Sequence, residues 1–165
     1  MSDTATNSAK QHASHDAVDD VKYDATNTAV APSLIDVYRE SHYHIAGAQP
    51  TILFLDTPSA DLAAIHRRAG VTCSVFITAC NPRSVPLDAA TNAQRQDLLA
   101  EKLQQCDVTF VDAWGAHPSN GWPREPSFLV LGLSLETAKG LGRHFDQNAI
   151  LHSGEEAIMR LLVLR

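Results

Sequence analysis

Glu125 and Ser127 stand two residues apart at the mouth of the apolar run Ser127 to Leu133. Alternation along a strand puts both side chains on the face that carries Leu129 and Leu131. A carboxylate entering a core face needs partners, so Glu125 either anchors the neighbouring loop or serves as a pocket acid or base with a raised pKa. Trp122, just upstream, offers an aromatic wall. A second cluster, Asn81-Pro82-Arg83-Ser84, follows the most apolar strand candidate in the chain. Ligands in open α/β sheets gather beyond the carboxyl ends of strands, which makes Asn81 and Ser84 candidate contacts. The same tetrapeptide also has the composition of a plain strand-ending turn.

Asn92 and Arg95 fall on the helix expected next, and Gln147 follows the last predicted helix. With Asn81, Ser84, Trp122, Glu125 and Ser127 they make up a candidate ligand site. In it amides and hydroxyls orient the ligand, Arg95 supplies charge and Trp122 stacks.

Other chemistries have weaker carriers. His42 and His44 alternate on one strand face, but spacing supplies no third ligand, so no metal site is expected. Cys80, beside Asn81, has the position for a nucleophile and equally the character of a small buried hydrophobe. Gly140 and Gly142 come at the end of a helix rather than between a strand and a helix start, which suits termination and not a phosphate cradle. No Gly-x-Ser-x-Gly, Gly-x-x-x-x-Gly-Lys or His-Glu-x-x-His signature is present, and no cofactor is expected.

Thirteen basic against nineteen acidic residues give a net charge of −6, with no Lys/Arg run to collect a polyphosphate, so nucleic acid is not an expected partner. His66-Arg67-Arg68 suits the last turn of a helix. Three cysteines without CxxC spacing indicate neither a disulfide framework nor a zinc knuckle. No stretch is long and apolar enough to span a bilayer, so a membrane is not an expected partner and the expected location is cytoplasmic.

The elements that must position these residues are punctuated clearly. Residues 1 to 31 carry little apolar surface and read as a disordered acidic tail; residues 32–165 read as a single α/β domain. Ser33 is expected to cap a helix from Leu34 to Glu40. The runs His42 to Ile45 and Thr51 to Leu55 predict a hairpin, and a helix follows Thr57-Pro58-Ser59 and stops at Gly70. Val71 to Cys80 predicts a central strand, and a helix with the capping-box spacing Thr91-x-x-Gln94 runs to about Gln105. Val108 to Ala113 predicts a strand, residues 114–123 a loop, and Ser127 to Leu133 a buried strand. Ser134 caps a helix to about Gly142, and Ala149 to His152 with Ile158 to Leu164 predict a closing hairpin. Alternation of strands and helices implies crossovers, hence a mixed, partly parallel sheet flanked by helices, with antiparallel terminal hairpins.

The run Phe76 to Ala79 through Asn81-Pro82 and Ser84, then Asn92, Arg95, Trp122, Glu125 and Ser127-Phe128-Leu129, continues into Gly142-Arg143, Phe145, Gln147 and Ala149-Ile150. In order and spacing, over residues 34 to 164, this resembles a bacterial family known as domain of unknown function 3293. The resemblance implies no reaction or cofactor. It does imply that Asn81, Ser84, Asn92, Glu125, Ser127, Phe145 and Gln147 belong to a family pattern. Cys80 stands where the family pattern leads one to expect a larger, often aromatic residue, and Pro126 where it leads one to expect a second acidic residue. The resemblance therefore implies no role here that requires either.

Three functions follow as expectations. The first is a domain binding a small polar or anionic molecule at the site above. The second is an enzyme with Glu125 as general acid/base and Ser127 or Cys80 nearby. The third is a protein-interaction module with a regulatory tail.

Overall fold

The computed structural model describes residues 29–165. The tail expected over 1–31 lies almost wholly outside them, and its last residues are already tied in: Val30 is buried and the Ala29 amide donates to the Arg165 carbonyl.

Helix α1, Pro32–Glu40, begins with proline in its first turn, where the missing N–H removes no helical bond. Ser33 lies inside it and is not the expected cap. Strands β1 (His42–Ile45) and β2 (Thr51–Leu53) form the expected antiparallel hairpin. Helix α2, Ala60–Ala69, is capped by Ser59, whose hydroxyl accepts from the Leu62 amide, and ends at Gly70 in the left-handed region.

Strand β3 is shorter than expected, Ser74–Ile77, and all four residues are buried. A 3-10 turn, Pro82–Ser84, leads to α3, Ala89–Gln105. The cap of α3 is Asp88, whose carboxylate accepts from the Thr91 amide; Thr91 itself is helical, which overturns the capping-box assignment. Strand β4, Thr109–Ala116, runs three residues past the expected end, and β5 is Glu125–Leu131. Helix α4, Leu135–His144, starts at its Ser134 cap, and β6 (Ala149–Ser153) pairs with β7 (Arg160–Val163) as the closing hairpin.

Helices and strands combine in one seven-stranded sheet of order β2-β1-β4-β5-β3-β6-β7. The expected parallel pairing is absent among the described strands: every pair is antiparallel, and the parallel contact that remains is the isolated bridge Leu55 to Met159. The crossovers themselves exist. β3 and β4 run the same way, joined through α3, but β5 lies between them; β5 and β6 run the same way, joined through α4, but β3 lies between them. Two interleaved units of this kind form the ferredoxin-like split βαβ arrangement, here extended by β1 and β2 at one edge and β7 at the other.

The two faces of the sheet carry separate cores. Val75, Ile77, Phe128, Val130 and Ile150 pack against Leu99 and Leu103 of α3 and Ala138 of α4. Gly142, expected to end α4, lies within it instead: a Cβ there would run into Leu164 Cδ1 and stand 3.0 Å from Ile150 Cγ2, so its small size sets the approach of helix to strand. The opposite face carries Tyr43, Phe76, Leu129, Leu131 and Leu151 and is concave. Bridges from Leu55 and Pro58 to Met159 and Ile158 join the chain beyond β2 to the chain before β7, so this face curls almost closed. Leu62 of α2 plugs it near the start of β3, where buried His66 Nε2 meets Ser74 Oγ at 2.8 Å.

Candidate functional site

A cavity of about 260 Å³ remains at the other end of the concave face, under α1. It lies where β3 and β4 end and β5 and β6 begin. Period-two alternation explains which side chains reach it: Phe76 and Thr78 from β3 and its exit, Glu125 and Ser127 from β5, Ala149 and Leu151 from β6. Tyr43 of β1 closes one side with its ring edge-on to Phe76, and Leu34, Val37 and Tyr38 of α1 form the roof.

Glu125 pairs with Gly115 across the β4–β5 ladder, which carries its carboxylate onto the concave face. Asn81 Nδ2 donates to Glu125 Oε2 at 2.7 Å. Burial raises the Glu125 pKa, while hydrogen bonds with Asn81 and Trp122 pull it the other way. Asn81 is held in turn by its own oxygen, which accepts from the Leu87 amide at 3.0 Å and from Asn92 Nδ2 at 2.8 Å. Its backbone is left-handed, φ 45°, a conformation that asparagine tolerates better than most side chains. Arg83 and Ser84 share that region, so the turn after β3 is strained over most of its length.

The turn is fastened on both sides. Ser84 Oγ and Tyr38 Oη are 2.8 Å apart, and Asn148 Nδ2 donates to both at 3.2 Å, linking α1, the turn and the start of β6. The Tyr43 hydroxyl donates to the Tyr38 carbonyl at 2.6 Å, and burial raises its pKa. Gln147 Nε2 donates to the Cys80 carbonyl at 2.9 Å, which leaves its Oε1 as the acceptor of that side chain.

Of the residues named from the sequence, Asn81, Ser84, Trp122, Glu125, Ser127 and Gln147 line the one cavity. Asn92 and Arg95 do not. Asn92 Oδ1 accepts from the Asn81 amide, so it shapes the turn from behind. Arg95 donates to the Ala79 carbonyl through Nε and to the Phe145 carbonyl through a terminal nitrogen, both at 2.7 Å, and so joins the end of β3 to the end of α4 instead of charging the cavity. Ser127 is buried and its hydroxyl donates to the Glu125 carbonyl at 3.1 Å.

Polar residues at or beside the cavity that the sequence reading did not place among the ligand contacts include Tyr38, Tyr43, His117 and Asn148. Tyr38 did carry a signal, its place on the apolar side of α1 with Leu34 and Val37. His117 Nδ1 accepts from the Ser119 and Asn120 amides, so its Nε2 bears the proton and donates to Glu40 at 3.2 Å.

Cys80 is buried, its thiol raised in pKa by burial, and it does not line the cavity. His42 and His44 point to the convex side. There His44 stacks on Trp114 at 5.0 Å, with the Arg124 guanidinium 5.2 Å from the same indole. Among the described residues no three His, Cys, Asp or Glu side chains are grouped to hold a metal, and no helix is long and apolar enough to cross a membrane.

The family described as Protein of unknown function (DUF3293) matches residues 77–150. This is the family resembled in the sequence, and the matched stretch is narrower than the expected 34–164. It contains all six cavity residues named from the sequence, but not α1, β1 or β7, which complete the walls. No curated protein and no solved structure matches the chain.

Proposed function

We propose that this chain is a binding domain for one small molecule, held under α1 with the Glu125 carboxylate as its fixed acceptor. The observation that carries the reading is the convergence of six polar or aromatic side chains, from residues 81–84, 122–127 and 147, on a single cavity. Its volume of about 260 Å³ is on the scale of small-molecule sites. With Arg95 turned to backbone carbonyls, the cavity suits a neutral or cationic molecule better than an anion. Three free thiols are in keeping with a reducing, cytoplasmic setting, which cell fractionation would check.

The test is a metabolite screen by amide NMR on the full chain, repeated on Ala149→Phe, which fills the cavity from β6. Ligands should perturb the amides of residues 81–84, 125 and 147 and lose affinity in the filled variant. Ligands that perturb only other surfaces, or bind Ala149→Phe unchanged, would remove the proposal.

Burial of Glu125 also favours a second reading, in which its carboxyl is a general acid or base. Neither expected nucleophile supports it, since Ser127 donates to a backbone carbonyl and Cys80 lies outside the cavity. A cavity ligand recovered chemically unchanged after long incubation would count against catalysis.

A further inference from the structure

Glu125 is the one acidic side chain among the described residues that line the cavity, and no lysine or arginine lines it. The nearby cations are all committed elsewhere. Arg95 is bonded to two carbonyls, Arg83 pairs with Asp146 at 3.1 Å, and Arg124 lies over Trp114 on the convex face. His117, the remaining basic side chain in the wall, is committed to the Ser119 and Asn120 amides at Nδ1 and to the Glu40 carboxylate, 3.2 Å from Nε2. The carboxylate therefore meets only uncharged donors, Asn81 and Trp122, although a carboxylate has about four lone-pair positions to fill. A half-buried carboxylate with no cation beside it is an unfinished pair.

The rest of the wall indicates what would finish it. Tyr43, Phe76 and Trp122 present rings, and Leu34, Val37 and Leu161 present aliphatic surface. Aromatic faces attract cations through their quadrupole, and attract them more strongly away from water. Gln147 adds a neutral acceptor whose amide is already oriented by the Cys80 carbonyl.

Resting on the binding reading above, we infer that the ligand is an organic ammonium: a protonated primary or secondary amine on a small apolar or aromatic body. Its N–H groups meet the Glu125 carboxylate and its carbon body fills the space between the rings and α1. The burial that raises the Glu125 pKa is then the mark of the missing partner, and the ammonium restores the charged form.

Three probes of one shape test this on the full chain: 2-phenylethylamine, 2-phenylethanol and 3-phenylpropionate, followed by calorimetry and amide NMR. The amine should bind at least tenfold more tightly than either of the others and perturb residues 81, 122 and 125. Glu125→Gln, checked for native amide dispersion, should lower amine affinity at least tenfold and close most of the gap between the amine and the alcohol. If the alcohol or the carboxylate binds in the cavity as tightly as the amine, the ammonium inference is overturned and the binding domain stands. It is also overturned if the amine fails to bind at millimolar concentration. In that case ligands found by the metabolite screen and excluded by Ala149→Phe would keep the binding domain, and their absence would remove both.

Discussion

Asn81 and Glu125, 44 residues apart in sequence, are joined side chain to side chain at 2.7 Å, and that bond ties the turn after β3 to the first residue of β5. Because the Asn81 oxygen also holds the Leu87 amide and Asn92, one side chain fixes the turn, the approach to α3 and the carboxylate of the cavity.

Asn81→Ala should be costly for this reason. It removes one partner from each of three polar groups, the Leu87 amide, Asn92 Nδ2 and the Glu125 carboxylate, and a group left unpaired costs about 1–3 kcal/mol where burial keeps water away. An overall loss of about 3 kcal/mol in urea denaturation is expected. Asn81→Asp should keep the turn but set a second carboxylate against Glu125, moving the Glu125 titration upward in carboxyl NMR.

Glu125→Gln should stabilise the free protein at neutral pH, by about 0.5–2 kcal/mol in thermal or urea unfolding. The sign follows from the raised pKa. The folded state holds the Glu125 proton more tightly than the unfolded state, so stability contributed by the neutral form is present at low pH and is lost as pH rises through the folded pKa. The advantage of the variant should therefore shrink as pH falls from the raised folded value to the ordinary glutamate range, and be smallest below it. An unchanged difference from pH 3 to 8 would contradict the burial of this carboxylate.

Arg95→Lys should separate scaffold from site. A lysine cannot reach the Ala79 and Phe145 carbonyls together, so a loss of about 1–3 kcal/mol is expected, with selectivity among cavity ligands retained. A reversal of ligand charge preference would instead return Arg95 to the cavity.

Gly142→Ala should cost about 1–3 kcal/mol through overpacking against Leu164 and Ile150. Leu164→Ala should absorb part of that cost, and a double-mutant cycle in urea would show the coupling. Strict additivity would mean the helix shifts without touching Leu164.

Acid should loosen the α2 end of the sheet. His66 is buried against Ser74 and its pKa is lowered by burial, opposed by Glu156 and reinforced by His152. Folding favours the neutral ring, so its contribution is present above the ordinary histidine pKa and is lost as pH falls from there through the lowered folded value. Hydrogen exchange of α2 amides should accelerate over that window, and His66→Gln should flatten the response.

Much of the fold is legible because its punctuation is local. Ser59, Gly70 and Ser134 act where they stand, and both terminal hairpins follow from short apolar runs and their turns. What escapes is set by distant partners. Trp114-Gly115-Ala116 has a loop composition, yet Gly115 pairs with both Tyr43 and Glu125 and so becomes strand. The crossovers are legible, but insertion of β5 between β3 and β4 is decided by strand pairing, which turns the expected parallel contacts into antiparallel ones. At the site, residue type found Asn81, Glu125 and Gln147. It could not orient Arg95, whose guanidinium serves two carbonyls as readily as it would an anion.

The interleaving of the two crossovers makes the molecule indivisible. The stretch 77–150 keeps only the last residue of β3 and the first two of β6, so a fragment cut at those limits would lack the strand that β5 and β6 both border. Neither half of the motif has a complete sheet until the other arrives, and the pairings it must make join residues far apart in sequence. Assembly should consequently be slow and all-or-none for a chain of this size, and two complementary pieces should acquire structure only when mixed.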